Sequence, residues 1–151
     1  MRRIVVVPVG ALSVAGALAL QLAAGAPAEA RSVPKVLTQD STSTFGVRPS
    51  TIGYTGDGTG YIGKKPWGSR PGSVKWGKWN HKRARGVGTI WLNNCSPDCS
   101  RGEFRSVRGT VKLTKPKHGR FTRMTLRFNL RGEAVTDQRK LRHIDTYYRW
   151  M

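Results

Sequence analysis

The sequence predicts an all-β fold, either a small antiparallel β-sandwich or a partly open barrel, with one local disulfide. Three observations point there. Val107, Val111 and Leu113 alternate with Arg108, Thr110 and Lys112, and Met124, Leu126, Phe128 and Leu130 alternate with Arg123, Thr125 and Arg127, the period of half-buried strands. The 18 glycines of the 151 residues fall largely between short apolar stretches, where tight reversals need positive φ. The only two cysteines, Cys95 and Cys99, stand four positions apart in a turn-rich segment.

Taken in order, the chain opens on Met1-Arg2-Arg3, an apolar run from Ile4 to Ala24 and the small-x-small triplet Ala28-Glu29-Ala30. That is the pattern of a secretory signal peptide over residues 1–30, and it predicts a secreted, extracellular protein. The run is nearly long enough to span a bilayer, so an uncleaved anchor is the alternative reading. Residues 31–44 mix Ser, Thr, Pro and Lys without periodicity and read as a flexible leader. Residues 45–151 have the length and the turn spacing of a single β domain.

Within that domain Pro49 to Tyr54 is the first candidate strand, and Thr55-Gly56-Asp57-Gly58-Thr59-Gly60 turns it back into Tyr61-Ile62-Gly63. Lys64 to Gly72, with Pro66, Trp67 and Pro71, reads as a surface loop in which Trp67 is the best exposed aromatic candidate. Val74 and Trp76 alternate with Lys75 until Gly77 shifts the phase and brings in Trp79, as a β-bulge does. Val87, Thr89 and Trp91 alternate with Gly88, Ile90 and Leu92, which makes both faces partly apolar and marks a central strand. The polar loop Lys115 to Arg120 joins the two clearest strands as an antiparallel hairpin. In the tail, Glu133 to Arg142 reads as a short helix and Ile144 to Trp150, rich in Thr, Tyr and Trp, as a last strand.

Behind an export signal, Cys95 and Cys99 predict a local disulfide whose main effect is to fix the shape of the loop. Three intervening residues, Pro97 among them, and the lack of a following helix exclude a thioredoxin-type redox motif. His81 or His118 offers one further zinc ligand, yet no second pair exists at ligand spacing, and Asp57 alone supplies too few oxygens for calcium. Neither a metal nor a cofactor is expected.

Three stretches carry a resemblance: Arg48-Pro49-Ser50-Thr51-Ile52 leading into Thr55 to Gly60, then Asn93-Asn94-Cys95 to Cys99, and Gly119-Arg120-Phe121-Thr122-Arg123-Met124. In that order they resemble small secreted proteins of unassigned function from Streptomyces and related actinobacteria. The resemblance covers roughly Phe45 to Leu130. It implies export and a shared fold, and brings no catalytic residue, cofactor or activity.

Charge carries the functional reading. Twenty-seven Lys and Arg against eight Asp and Glu give +19, a surface that attracts nucleic acid, teichoic acid or an anionic surface. If the apolar residues of the hairpin face inward, Arg108, Lys112, Arg123 and Arg127 share its outer face, and Lys75 and Lys78 extend it into a cationic sheet for polyanions. The plainer alternative is a solvated face that opposes aggregation. A small secreted phosphodiester hydrolase is a second class: Asp57, Asp98 or Glu103 as base, His81, His118 or His143 as acid, and Arg105, Arg108 or Arg123 for the phosphate. Their spacing selects no trio, and non-catalytic binding is the preferred expectation. A third class, an inhibitor or toxin-like module, would use the Cys95–Cys99 loop against a partner protein.

Overall fold

The computed structural model describes residues 32–39, 42–64 and 72–151. The chain divides into two units, Met1–Ala30 and Arg31–Met151, and every described residue belongs to the second. The expected signal peptide and Trp67 with its prolines thus lie outside the described residues.

Ten strands and no helix make up the described residues: β1 (Val36–Leu37), β2 (Phe45–Gly46), β3 (Thr51–Gly53), β4 (Gly60–Gly63), β5 (Lys75–Trp79), β6 (Ala84–Asn93), β7 (Phe104–Lys117), β8 (Arg120–Leu130), β9 (Glu133–Ile144) and β10 (Tyr147–Trp150). β1 and β2 pair with each other. The other eight form one antiparallel sheet, β10-β9-β8-β7-β6-β4-β3, with β5 also on β6. The sheet curls into a half-barrel, the open-barrel form of the expected fold. β7 pairs with all ten residues of β6, whose other edge is divided between β5, near Ala84–Val87, and β4, near Ile90–Leu92. Glycine permits the close packing that follows: a Cβ on Gly109 would stand 2.4 Å from Ile90 Cδ1 and 2.8 Å from the Arg127 carbonyl. The phase shift expected at Gly77 is present as a register shift between Trp76 and Trp79.

The inner face of the curl holds the core. Ile62, Ile90, Val111, Leu113, Met124 and Leu126 are buried on it together with Tyr54, Phe121 and Trp150. Trp79 and Trp91 are buried as well, their indole N–H groups donating to the carbonyls of Pro34 (3.0 Å) and Gly63 (2.8 Å). Such pairing lets a large ring be buried with its polar atom satisfied.

Residues 32–39 and 42–44, expected as a flexible leader, are instead part of this packing. Val36 and Leu37 are 0% exposed within the core cluster. The Lys35 amide donates to Gly119 O at 2.8 Å, the Phe121 amide to Lys35 O at 2.9 Å and the Gly53 amide to Thr38 O at 3.0 Å, so β1 is stitched to the start of β8 and the end of β3. Arg120 then seals the same side: its guanidinium lies 4.6 Å from the Phe45 ring and 4.9 Å from that of Tyr148, and Nη1 donates to the Tyr148 hydroxyl at 2.6 Å.

Two further expectations change. The loop between the clearest strands shrinks to His118-Gly119, both with positive φ, as a two-residue hairpin turn needs. Pro116 is tolerated in β7 because its pair with Phe121 is a non-hydrogen-bonded one, the Phe121 amide pointing away to Lys35 O, so the β7–β8 ladder asks for no N–H from the proline. The helix expected over Glu133 to Arg142 is the strand β9, returned from β8 by Arg131-Gly132, again both at positive φ. Val135, Asp137, Arg139 and Leu141 are half-buried and alternate with exposed Thr136, Gln138 and Lys140. The period was disguised because two of its inward positions are charged. Asp137 and Arg139 stand side by side there, paired through Arg139 Nη2 and Asp137 Oδ2 at 2.8 Å.

Candidate polyanion-binding face

Because the inner positions of β7 and β8 are apolar, the pleat turns their cations outward. Thr110 stands opposite Arg127, Lys112 opposite Thr125, and Thr114 opposite Arg123. On the other side Arg85 of β6 stands opposite Lys112, and Thr89 opposite Arg108. Lys75 of β5 pairs with Val87, which puts it on the same face. Arg85, Arg108, Lys112, Arg123 and Arg127 are all exposed, as are Lys75 and Lys78.

An open groove of about 860 Å³ lies over β5 to β8. Lys75, Lys78, Arg83, Arg85, Arg108, Lys112 and Arg127 line it, above a floor that includes Val87, Thr110 and Thr125. Five of the six residues expected to bind polyanions are therefore gathered in one groove. Arg123 is not among its lining residues and stands opposite Lys140 on the β9 side. Arg83 and Arg85 were missed from the sequence. Their signal was there in the alternation of Arg83, Arg85 and Val87 with the small residues Ala84, Gly86 and Gly88, the period of a strand with its cations outward.

Among the described residues no Asp or Glu lines the groove. On β9, where Glu133 and Asp137 belong to the inward-facing parity, the outward positions are Ala134, Thr136, Gln138, Lys140 and Arg142. The result is several like charges on one face with no opposite charge among them. Such an arrangement repels itself and focuses a positive potential on whatever anion enters. Among the described residues the one ring lining the groove is Trp76: its indole N–H donates to Pro49 O at 2.7 Å and its ring meets Trp79 edge-on at 4.7 Å.

The parts named for a hydrolase are kept apart. Asp57, Asp98 and Glu103 lie in the turns beside Asn93 and Phe104, while His118 is at the other end of β7, about 40 Å away at the rise of an extended strand. His81 precedes Ala84, which pairs with Leu113 toward that far end, and His143 lies beyond Lys140, the partner of Arg123. The carboxylates are also committed. Asp57 Oδ1 accepts from the Thr59 amide (3.0 Å) and hydroxyl (2.6 Å) and thereby organises its turn. Partial burial raises the Asp57 carboxyl, but the bonds from Thr59 and Thr55 outweigh it and hold the group below its ordinary range. At Asp98 the Ser100 hydroxyl, seconded by the Arg101 amide, does the same. Carboxylates so stabilised as anions make weak bases.

Cys95 and Cys99 form the expected disulfide, of the kind that persists in oxidising compartments. The exposed loop they close is fixed by side chains too. Asn93 accepts from the Cys95 amide and donates to Cys99 O, each at 2.8 Å, and Asn94 Oδ1 accepts from the amides of Ser96 and Glu103. Facing it across a small pocket is the Asp57 turn. Among the described residues no cluster of His, Cys, Asp and Glu has the makings of a metal site, and no helix is long and apolar enough to cross a membrane. No protein-family model matches this chain, and neither does any curated protein or solved structure.

Proposed function

We propose that this is a secreted protein that binds anionic polymers, such as nucleic acid or a cell-wall polyanion, through the groove of β5 to β8 and without catalysis. The observation that carries the reading is the convergence of seven Lys and Arg side chains, six from four strands and Arg83 from the turn before β6, on one groove with no carboxylate among its described lining residues. Rigid strands present these charges, so little order has to be created on binding beyond that of the side chains themselves. Charge-assisted hydrogen bonds to phosphate oxygens supply the attraction, and release of counterions makes it steep in salt.

The test incubates the purified protein with labelled DNA, RNA and teichoic acid at several salt concentrations and reads both complex formation and polymer length. Complexes that weaken with salt and leave the polymer intact are expected. Shortened polymer would replace this reading with the hydrolase. Reduction of the disulfide is expected to leave binding unchanged, since Cys95 and Cys99 do not line the groove, whereas loss of binding on reduction would move the contact to the loop.

A further inference from the structure

We infer that the ligand of this face is a single extended poly(polyol phosphate) strand, of the poly(glycerol phosphate) kind, lying along the β7–β8 hairpin. The inference rests on the binding reading above and deepens it. The register arranges the hairpin cations as a zigzag rather than a patch. Going along the strands from Arg108, the next level carries Arg127 opposite Thr110, the next Lys112 opposite Thr125, and the next Arg123 opposite Thr114. At each of those three levels one side is a cation and the other a threonine, and the sides exchange from level to level.

The spacing suits a polymer with six bonds between phosphates, which a poly(glycerol phosphate) and a nucleic acid backbone share, and the threonines and the bases distinguish the two. Diagonal neighbours on adjacent strands are about 7–8 Å apart, so Arg108, Arg127, Lys112 and Arg123 offer a positive charge at that interval over some 20 Å. Three bonds of an extended chain reach about 3.5 Å, so the six from phosphorus to phosphorus through a three-carbon polyol reach roughly 7 Å. One phosphate per cation and one polyol hydroxyl per threonine is the match. Among the described residues the hydroxyls of Thr110, Thr114 and Thr125 donate to no partner, whereas that of Thr122, on the same strand, is bonded to Lys115 O. A nucleic acid strand has the charge but brings bases, and among the described residues the one ring lining this groove is Trp76, whose indole N–H is bonded to Pro49 O and which meets Trp79 edge-on.

The experiment compares glycerol phosphate oligomers with oligothymidylates of equal phosphate number and with inorganic polyphosphate, by fluorescence anisotropy on the full chain. Glycerol phosphate oligomers are expected to bind about tenfold tighter than oligothymidylate, the size of effect that two hydroxyl hydrogen bonds provide. The double variant Thr110→Val with Thr125→Val keeps β-branched residues in place and is expected to erase that preference. Arg108→Ala, Lys112→Ala and Arg127→Ala should each lower the salt slope by about 0.7. Equal affinity for both oligomers, or no effect of the threonine variant, would overturn the polyol assignment and leave general polyanion binding standing. Absence of binding to all three polymers at physiological salt would remove the binding reading itself.

Discussion

Tyr54 shows how much one buried atom matters in this core. Its ring is 1% exposed, and its hydroxyl is buried without a hydrogen-bond partner. Burial first, and the Asp137 carboxylate second, push its ionisation well above the ordinary phenol range, with Arg139 pulling the other way from 5.7 Å over the ring. Tyr54→Phe keeps the ring and removes the stranded hydroxyl, so it is expected to raise stability by about 1 kcal/mol in urea denaturation at pH 7. Because burial excludes the phenolate from the fold, this group leaves stability independent of pH below its unfolded value near 10 and lowers it as pH climbs from there toward the raised folded value, so the wild type loses stability in alkali that the variant keeps. Asp57 has the opposite sign. Its folded carboxyl is held low, so the stabilisation it gives is complete above the unfolded value near 4 and vanishes as pH falls through the folded one. Asp57→Ala should therefore melt below wild type at pH 7, with the gap closing as acid protonates the folded carboxyl.

The elements differ in how plainly the sequence announces them. β7 and β8 are legible because Val107, Val111, Leu113, Met124, Leu126 and Phe128 hold the inward period along their middles, and the bulge in β5 because Trp76 and Trp79 fall out of phase across Gly77. β9 is not, because Asp137 and Arg139 occupy inward positions as an ion pair that only tertiary pairing can assemble. β1 is hidden for a different reason. Two apolar residues among Ser, Thr, Pro and Lys have no period, and their burial depends on strands more than 80 positions later, at Gly119 and Phe121. Arg83 and Arg85, by contrast, are legible: they alternate with Ala84 and Gly86 at the period of a strand with its cations outward. A flexible leader would tolerate Leu37→Ala, whereas the packed β1 predicts a loss of about 2–5 kcal/mol, measurable by chemical denaturation.

For the whole molecule, the excess of positive charge has a shape. The core collects on the inside of one curled sheet, the carboxylates of Asp57, Asp98 and Glu103 lie in turns beside the Asn93–Phe104 end, and the outer surface of β5 to β8 is left to Lys, Arg and Thr. Self-repulsion on that surface lowers stability, and an anionic polymer relieves it, so binding and stabilisation should rise and fall together with salt. The most direct check is the affinity for a labelled polyanion, across a salt series, of the wild type and of the variant Arg108→Glu with Lys112→Glu and Arg127→Glu, alongside their thermal melts. The account predicts that the wild type binds with a steep salt slope, and that the variant melts no lower yet loses binding by more than a hundredfold, as reversing three desolvated contacts implies. A folded variant that binds as well as wild type would show that the groove is not the site.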